Sequence, residues 1–71
     1  MRVTKIDLYV TKAGHVAFLT SCETHPAYGV MFRGHVYERK EHRAIKRELA
    51  WSECGECLTS KDERDNLVWR A

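Results

Sequence analysis

Val36-Tyr37-Glu38-Arg39-Lys40-Glu41-His42-Arg43-Ala44-Ile45-Lys46-Arg47-Glu48-Leu49-Ala50-Trp51 is the stretch whose conformation decides the fold class of this chain. It is rich in Glu, Lys, Arg, Ala and Leu, all good helix formers. Placed at 100° per residue, His42, Ile45 and Leu49 fall within about 60° of one another. That narrow apolar stripe suits a helix lying on one face of a small sheet. The composition predicts a helix from about 36 or 38 to 51.

Upstream, Thr4, Ile6, Leu8 and Val10 alternate with Lys5, Asp7 and Tyr9, a period of two that reads as a half-buried strand. Thr11-Lys12-Ala13-Gly14 supplies a turn, with Gly14 free to take positive φ. His15 to Thr20 reads as the returning strand. Ser21 to Pro26 breaks the pattern, and Tyr28, Val30 and Phe32 alternate again in a third strand ending near Gly34. Downstream, Ser60-Lys61-Asp62-Glu63 fits a capping box that opens a short helix, whereas Leu67-Val68-Trp69 reads equally as a final strand. The expected fold is α+β: a small three-stranded antiparallel sheet packed by one helix, with a short C-terminal element, in a single domain over residues 1–71.

A chain of 71 residues hides only about 60% of the surface its unfolded form exposes. Chains near this size often rely on a disulfide, a metal or a partner subunit. No apolar run approaches the roughly 20 residues needed to span a bilayer. The opening Met1-Arg2-Val3-Thr4-Lys5-Ile6-Asp7 is interrupted by charge and does not read as a signal peptide. A cytoplasmic location without membrane contact is the expectation. There, cysteines serve as ligands, nucleophiles or core filler more often than as disulfides.

The three cysteines fall into two short motifs, Cys22-Glu23-Thr24-His25 and Cys54-Gly55-Glu56-Cys57. Zinc favours four tetrahedral ligands from thiolate and imidazole, and pairs two to four apart suit a turn wrapping the ion. Cys22, His25, Cys54 and Cys57 therefore make a candidate Cys₃His site for a structural Zn²⁺, which would staple the fold. A third strand running roughly 23 Å away and a helix returning roughly 24 Å would bring the two pairs to the same level. Core filler and a Cys-x-x-Cys redox pair are the competing readings. Four protein ligands leave no open position for a reactive water, which argues against a zinc hydrolase.

Charge is unevenly distributed. Residues 33–47 hold six Arg/Lys against Glu38 and Glu41, while 53–65 hold five acids against Lys61 and Arg64. On the expected helix, Arg39, Lys40, Arg43, Lys46 and Arg47 share a face able to follow a phosphate backbone or meet an acidic protein surface. A merely solvated face is the plain alternative. No glycine-rich phosphate loop, Gly-x-Ser-x-Gly elbow or His-Glu-x-x-His is present. A small-molecule substrate is not expected from so small a core. The sequence points to a non-enzymatic regulatory binding module that contacts nucleic acid, or a protein complex that handles it. The alternative is a protein–protein inhibitor, of the size of phage and mobile-element accessory proteins. It would act through an exposed strand edge or the acidic segment 53–65.

Overall fold

In the computed structural model, which describes residues 1–71, the 36–51 stretch is not a helix. It forms most of a long antiparallel hairpin of β3 (Gly29–Lys40) and β4 (Arg43–Ser52), paired from Met31↔Ser52 to Lys40↔Arg43. The connecting residues Glu41 and His42 have φ of 50° and 65°. Two consecutive left-handed residues are what a two-residue hairpin turn needs to match the twist of its strands.

Burial explains why helix propensity loses here. On β3, Phe32, Gly34 and Val36 face the same side as their β4 partners Trp51, Leu49 and Arg47. Phe32, Val36, Leu49 and Trp51 are all buried in the core. Each such side chain contributes about 1.5–3 kcal/mol on burial, whereas ordinary residues differ by at most about 0.7 kcal/mol in helix propensity. A lone helix with a three-residue stripe buries far less.

The remaining strands are β1 (Leu8–Thr11), β2 (Val16–His25) and β5 (Leu67–Arg70), giving one five-stranded antiparallel sheet in the order β4-β3-β2-β1-β5. The expected α+β fold, with three strands and one packed helix, is thus replaced by a nearly all-β architecture. The only helical element is a single 3-10 turn, Glu63–Asp65, capped by the Asp62 carboxylate, which accepts the Arg64 N–H. Both readings of the C-terminal region are partly realised: this turn, and then a strand.

The sheet closes on itself through its loops. The Val3 N–H donates to the Glu53 carbonyl (2.7 Å), Leu58 N–H to the Ala50 carbonyl (2.8 Å) and Leu67 N–H to the Gly55 carbonyl (2.8 Å). The indole N–H of buried Trp51 donates to the Asp65 carbonyl at 2.8 Å. Val3, Tyr9, Ala17, Leu19, Cys57 and Leu67 complete the core around the hairpin residues. A β-bulge between Leu19 and Ser21 bends β2 beside Gly34. A Cβ at Gly34 would strike the Phe18 carbonyl oxygen and come within 2.9 Å of the Leu19 Cα, so only glycine fits.

β1 also inverts the expected facing. Tyr9 and Thr11 are buried, while Leu8 is exposed and Val10 only half-buried. The Tyr9 ring is the larger apolar group, and its hydroxyl reaches the Lys5 carbonyl at 3.0 Å, so it can be buried without stranding its polar end.

Candidate functional site

The two Cys/His motifs end in different surroundings. Cys22 is exposed on β2, opposite Phe32; Phe32 is opposite Trp51, and Trp51 bridges to Cys57. Residues 22 and 57 lie on one transverse row, reached through β3 and β4 and not through the expected strand and returning helix, and three inter-strand spacings of about 4.8 Å separate them. Two sulfurs on one zinc, each about 2.3 Å from the ion, sit roughly 4 Å apart. The His25 Nδ1 accepts the Ala27 N–H at 3.0 Å, which closes the β2–β3 turn. Cys54 is exposed in the turn after β4, where its N–H bonds the Ser52 hydroxyl at 3.2 Å. Cys57 is buried, with its N–H on the Asn66 side chain at 2.8 Å. The structure places no three His, Cys, Asp or Glu residues together as a metal-binding group. The expected Cys22/His25/Cys54/Cys57 tetrad is not assembled, and Cys57 acts as core filler.

The basic residues separate as strand alternation requires. Arg39 and Lys46 project from the outer face of the β3–β4 ribbon, and Lys40, Arg43 and Arg47 from the opposite face. Arg47 leaves the group: its guanidinium makes two bonds to Asp65, of 3.1 and 2.9 Å, with Glu38 at 3.7 Å. Hydrogen bonding from Arg47 outweighs burial and holds the Asp65 carboxyl below its ordinary value, while Arg47 is pushed upward in return. Arg47 therefore has a structural partner within the fold.

Arg39, Lys40 and Arg43 belong to no ion pair, and Lys46 has only the exposed Glu48 at 3.9 Å. Every residue from Arg39 to Lys46 is exposed. The ribbon runs four residue pairs past Val36↔Arg47, a projection of about 13 Å. It carries four cations against two acids, Glu41 and Glu38, the latter 3.7 Å from Arg47. The acidic segment is far less free than its composition implies. Glu53 meets Arg2 (3.5 Å), Glu63 meets Lys12 (3.3 Å), Asp62 meets Arg64 (2.8 Å) and Asp65 is buried. The hydrogen bonds from Arg64 pull the Asp62 carboxyl down to about 2.

A second surface emerges that sequence reasoning missed. Paired residues share a face, so Trp69, Val10 and Val16 line up across β5, β1 and β2 on the outer side of the sheet. Leu8, Phe18, His35 and Glu48 form the adjacent row on that face. Tyr37 follows His35 on β3, opposite Lys46. Trp69 is 59% exposed, Tyr37 49%, Leu8 42% and Val16 41%. Phe18 and His35 stack at 5.2 Å, and Tyr37 stands edge-on to both, at 6.0 and 5.3 Å. The sequence did hold a clue. Tyr9 and Thr11 alternate with Leu8 and Val10, so whichever pair is buried, the other is left on the surface.

Compared with protein-family models, curated proteins and solved structures, this chain has no match in any of the three. The functional reading therefore rests on its own geometry. No helix is long and apolar enough to cross a membrane.

Proposed function

We propose that the domain is a non-catalytic nucleic-acid-binding module whose principal contact is the basic tip of the β3–β4 ribbon. The observation that carries this is the set Arg39, Lys40 and Arg43: cations with no internal partner, on an exposed projection beyond the core. Cations with structural duties in this fold have a carboxylate nearby, as Arg47 and Arg64 do. Arg39, Lys40 and Arg43 are in no such ion pair, and a polyphosphate backbone supplies the anion. Strand alternation spreads them over both sides of the ribbon, so successive phosphates can be met from either face. The three unpaired thiols suit a reducing cytosol as the place of action.

Salt dependence tests the reading. The logarithm of affinity for an oligonucleotide should fall linearly with the logarithm of salt concentration. Replacing Arg39, Lys40 and Arg43 by Ala should flatten that slope by roughly 0.7–0.9 for each phosphate the variant no longer neutralises. Binding that is absent at low salt, or a slope unchanged in the triple variant, refutes it.

One observation favours a second reading. The Ala50 and Ser52 backbone groups point away from β3 toward Thr59, Leu58 and Glu56. By alternation those of Ala44, Lys46 and Glu48 point the same way, along a sheet edge that the 56–59 loop does not cover. A protein partner adding a strand there would use these groups, as an inhibitor does when it extends a target's sheet. Glu48→Pro removes one outward N–H without touching the β3 ladder. It should abolish such binding and leave nucleic-acid affinity within about twofold.

A further inference from the structure

The outer face of the sheet has the features of a base-stacking floor. It is apolar and aromatic where a soluble domain gains nothing from exposing such groups. Trp69 and Tyr37, its two most exposed rings, lie on the same side of one sheet. Three inter-strand steps separate them, about 14 Å, with Val10 and Val16 between them. Arg39 and Lys46 project from this face beside Tyr37, which joins the floor to the basic ribbon without a break. Tyr37 is thus bordered by Phe18 and His35 on the floor side and by Arg39 and Lys46 on the ribbon side, with Glu48 the one acid in the adjoining row.

We infer that this face binds single-stranded nucleic acid, its unpaired bases stacking on Tyr37 and Trp69 while the phosphates run toward Arg39 and Lys46. The inference rests on the nucleic-acid reading above and deepens it by naming the class of strand. Duplexes keep their base faces covered by neighbouring pairs, so a duplex has nothing to offer two exposed rings. An unpaired strand offers a π-face with every base, and stacking of this kind tolerates any sequence. Charge complementarity also favours this occupant over a second copy of the chain. Symmetric pairing through this face would gather Arg39 and Lys46 of both copies into one interface, with only the Glu48 of each copy to offset them. Because 14 Å is about four times the 3.4 Å rise between stacked bases, the two rings engage non-neighbouring bases.

The test is fluorescence anisotropy with labelled 12-nucleotide single strands of DNA and RNA, and with the matching duplexes, for the full chain and four variants. Wild type should prefer the single strand at least tenfold. Tyr37→Ala and Trp69→Ala should each weaken single-strand binding roughly fivefold to a hundredfold while keeping the salt slope. Tyr37→Phe and Trp69→Phe keep a ring and should restore most of the affinity. Both positions are solvent-exposed, and unchanged melting curves will confirm that the variants are folded. Equal affinity for duplex and single strand, with the Ala variants unaffected, overturns the inference but spares the nucleic-acid reading. Absence of binding to every oligonucleotide overturns both. A wild-type dimer in sedimentation that Tyr37→Ala or Trp69→Ala dissociates also overturns it, by assigning the face to a second copy.

Discussion

Arg47→Met should destabilise the domain more than Asp65→Ala does, although each removes one end of the same ion pair. The pair makes two charge-assisted hydrogen bonds, of 3.1 and 2.9 Å, but its ends are unequally buried: the side chain is 4% exposed for Asp65 and 31% for Arg47. Without Arg47, a carboxylate is left inside the protein with no cation, at a cost of about 3–5 kcal/mol. Without Asp65, the guanidinium keeps access to water and has Glu38 at 3.7 Å, so the cost falls to about 2–3 kcal/mol. The whole domain is worth about 4–10 kcal/mol at 0.05–0.15 kcal/mol per residue, so either loss is a large shift in urea midpoint. The pH dependence separates the two mechanisms. In the wild type Asp65 titrates low, so its contribution is complete above the unfolded carboxylate value of about 3.9 and fades as pH falls through the folded value. In Arg47→Met, burial acts unopposed by the guanidinium and raises Asp65 above its unfolded value. The protonated form is then favoured on folding, and the variant should gain stability as pH falls from 7 toward 4.5. Urea melts at pH 7.0, 5.5 and 4.5 read this directly. Equal costs for the two variants, or an Arg47→Met protein that weakens on acidification across that range, refute the reasoning.

Glu41→Asn with His42→Gly places in the turn the residues that adopt its two positive φ angles most readily. It should raise stability by about 1 kcal/mol, or roughly 4–8 °C in melting temperature, by differential scanning calorimetry. Gly34→Ala forces a methyl into the Phe18 and Leu19 backbone. It should cost at least about 2 kcal/mol, visible as a lowered urea midpoint, and a neutral outcome would contradict the close approach of β2 and β3. Trp51→Phe deletes the indole donor to the Asp65 carbonyl; leaving that buried acceptor unpaired should cost about 1–3 kcal/mol in the same assay.

The sequence was legible where its signals were local. The Thr11–Gly14 turn and the pairing of β1 with β2 follow from period-two alternation and a glycine at φ 91°. The third strand is recognisable from its alternation, but it runs six residues beyond the expected end near Gly34. The 36–51 region misled for a physical reason. Its turn is made by Glu41 and His42, which carry none of the Gly, Asn or Asp chemistry that marks a hairpin. Its inward residues, Val36, Leu49 and Trp51, gain their burial only from partners elsewhere in the chain. The same substitution of ribbon for helix rearranged the expected basic face: five cations on one side became two on each face and Arg47 withdrawn to Asp65. The common level expected for the Cys22 and Cys54 pairs assumed a helix returning along one strand; β4 takes its place as a further strand of the sheet, and motif spacing does not encode how many strands lie between the pairs. The outer aromatic floor was hidden because alternation shows that one set of side chains is exposed and not which one.

Both the basic tip and the aromatic floor exist only if residues 36–51 form an antiparallel ribbon, and proton contacts in solution report on that most directly. The Ala50 backbone faces away from β3, so Arg33↔Ala50, His35↔Glu48, Tyr37↔Lys46 and Arg39↔Ala44 are the non-hydrogen-bonded pairs, with Cα atoms about 4.5 Å apart. Two-dimensional NMR should show strong Hα–Hα contacts between Tyr37 and Lys46 and between Arg39 and Ala44. Sequential amide–amide contacts with Hα-to-amide contacts three residues on, from 38 to 51, would instead establish a helix and remove both the ribbon and the floor beside it.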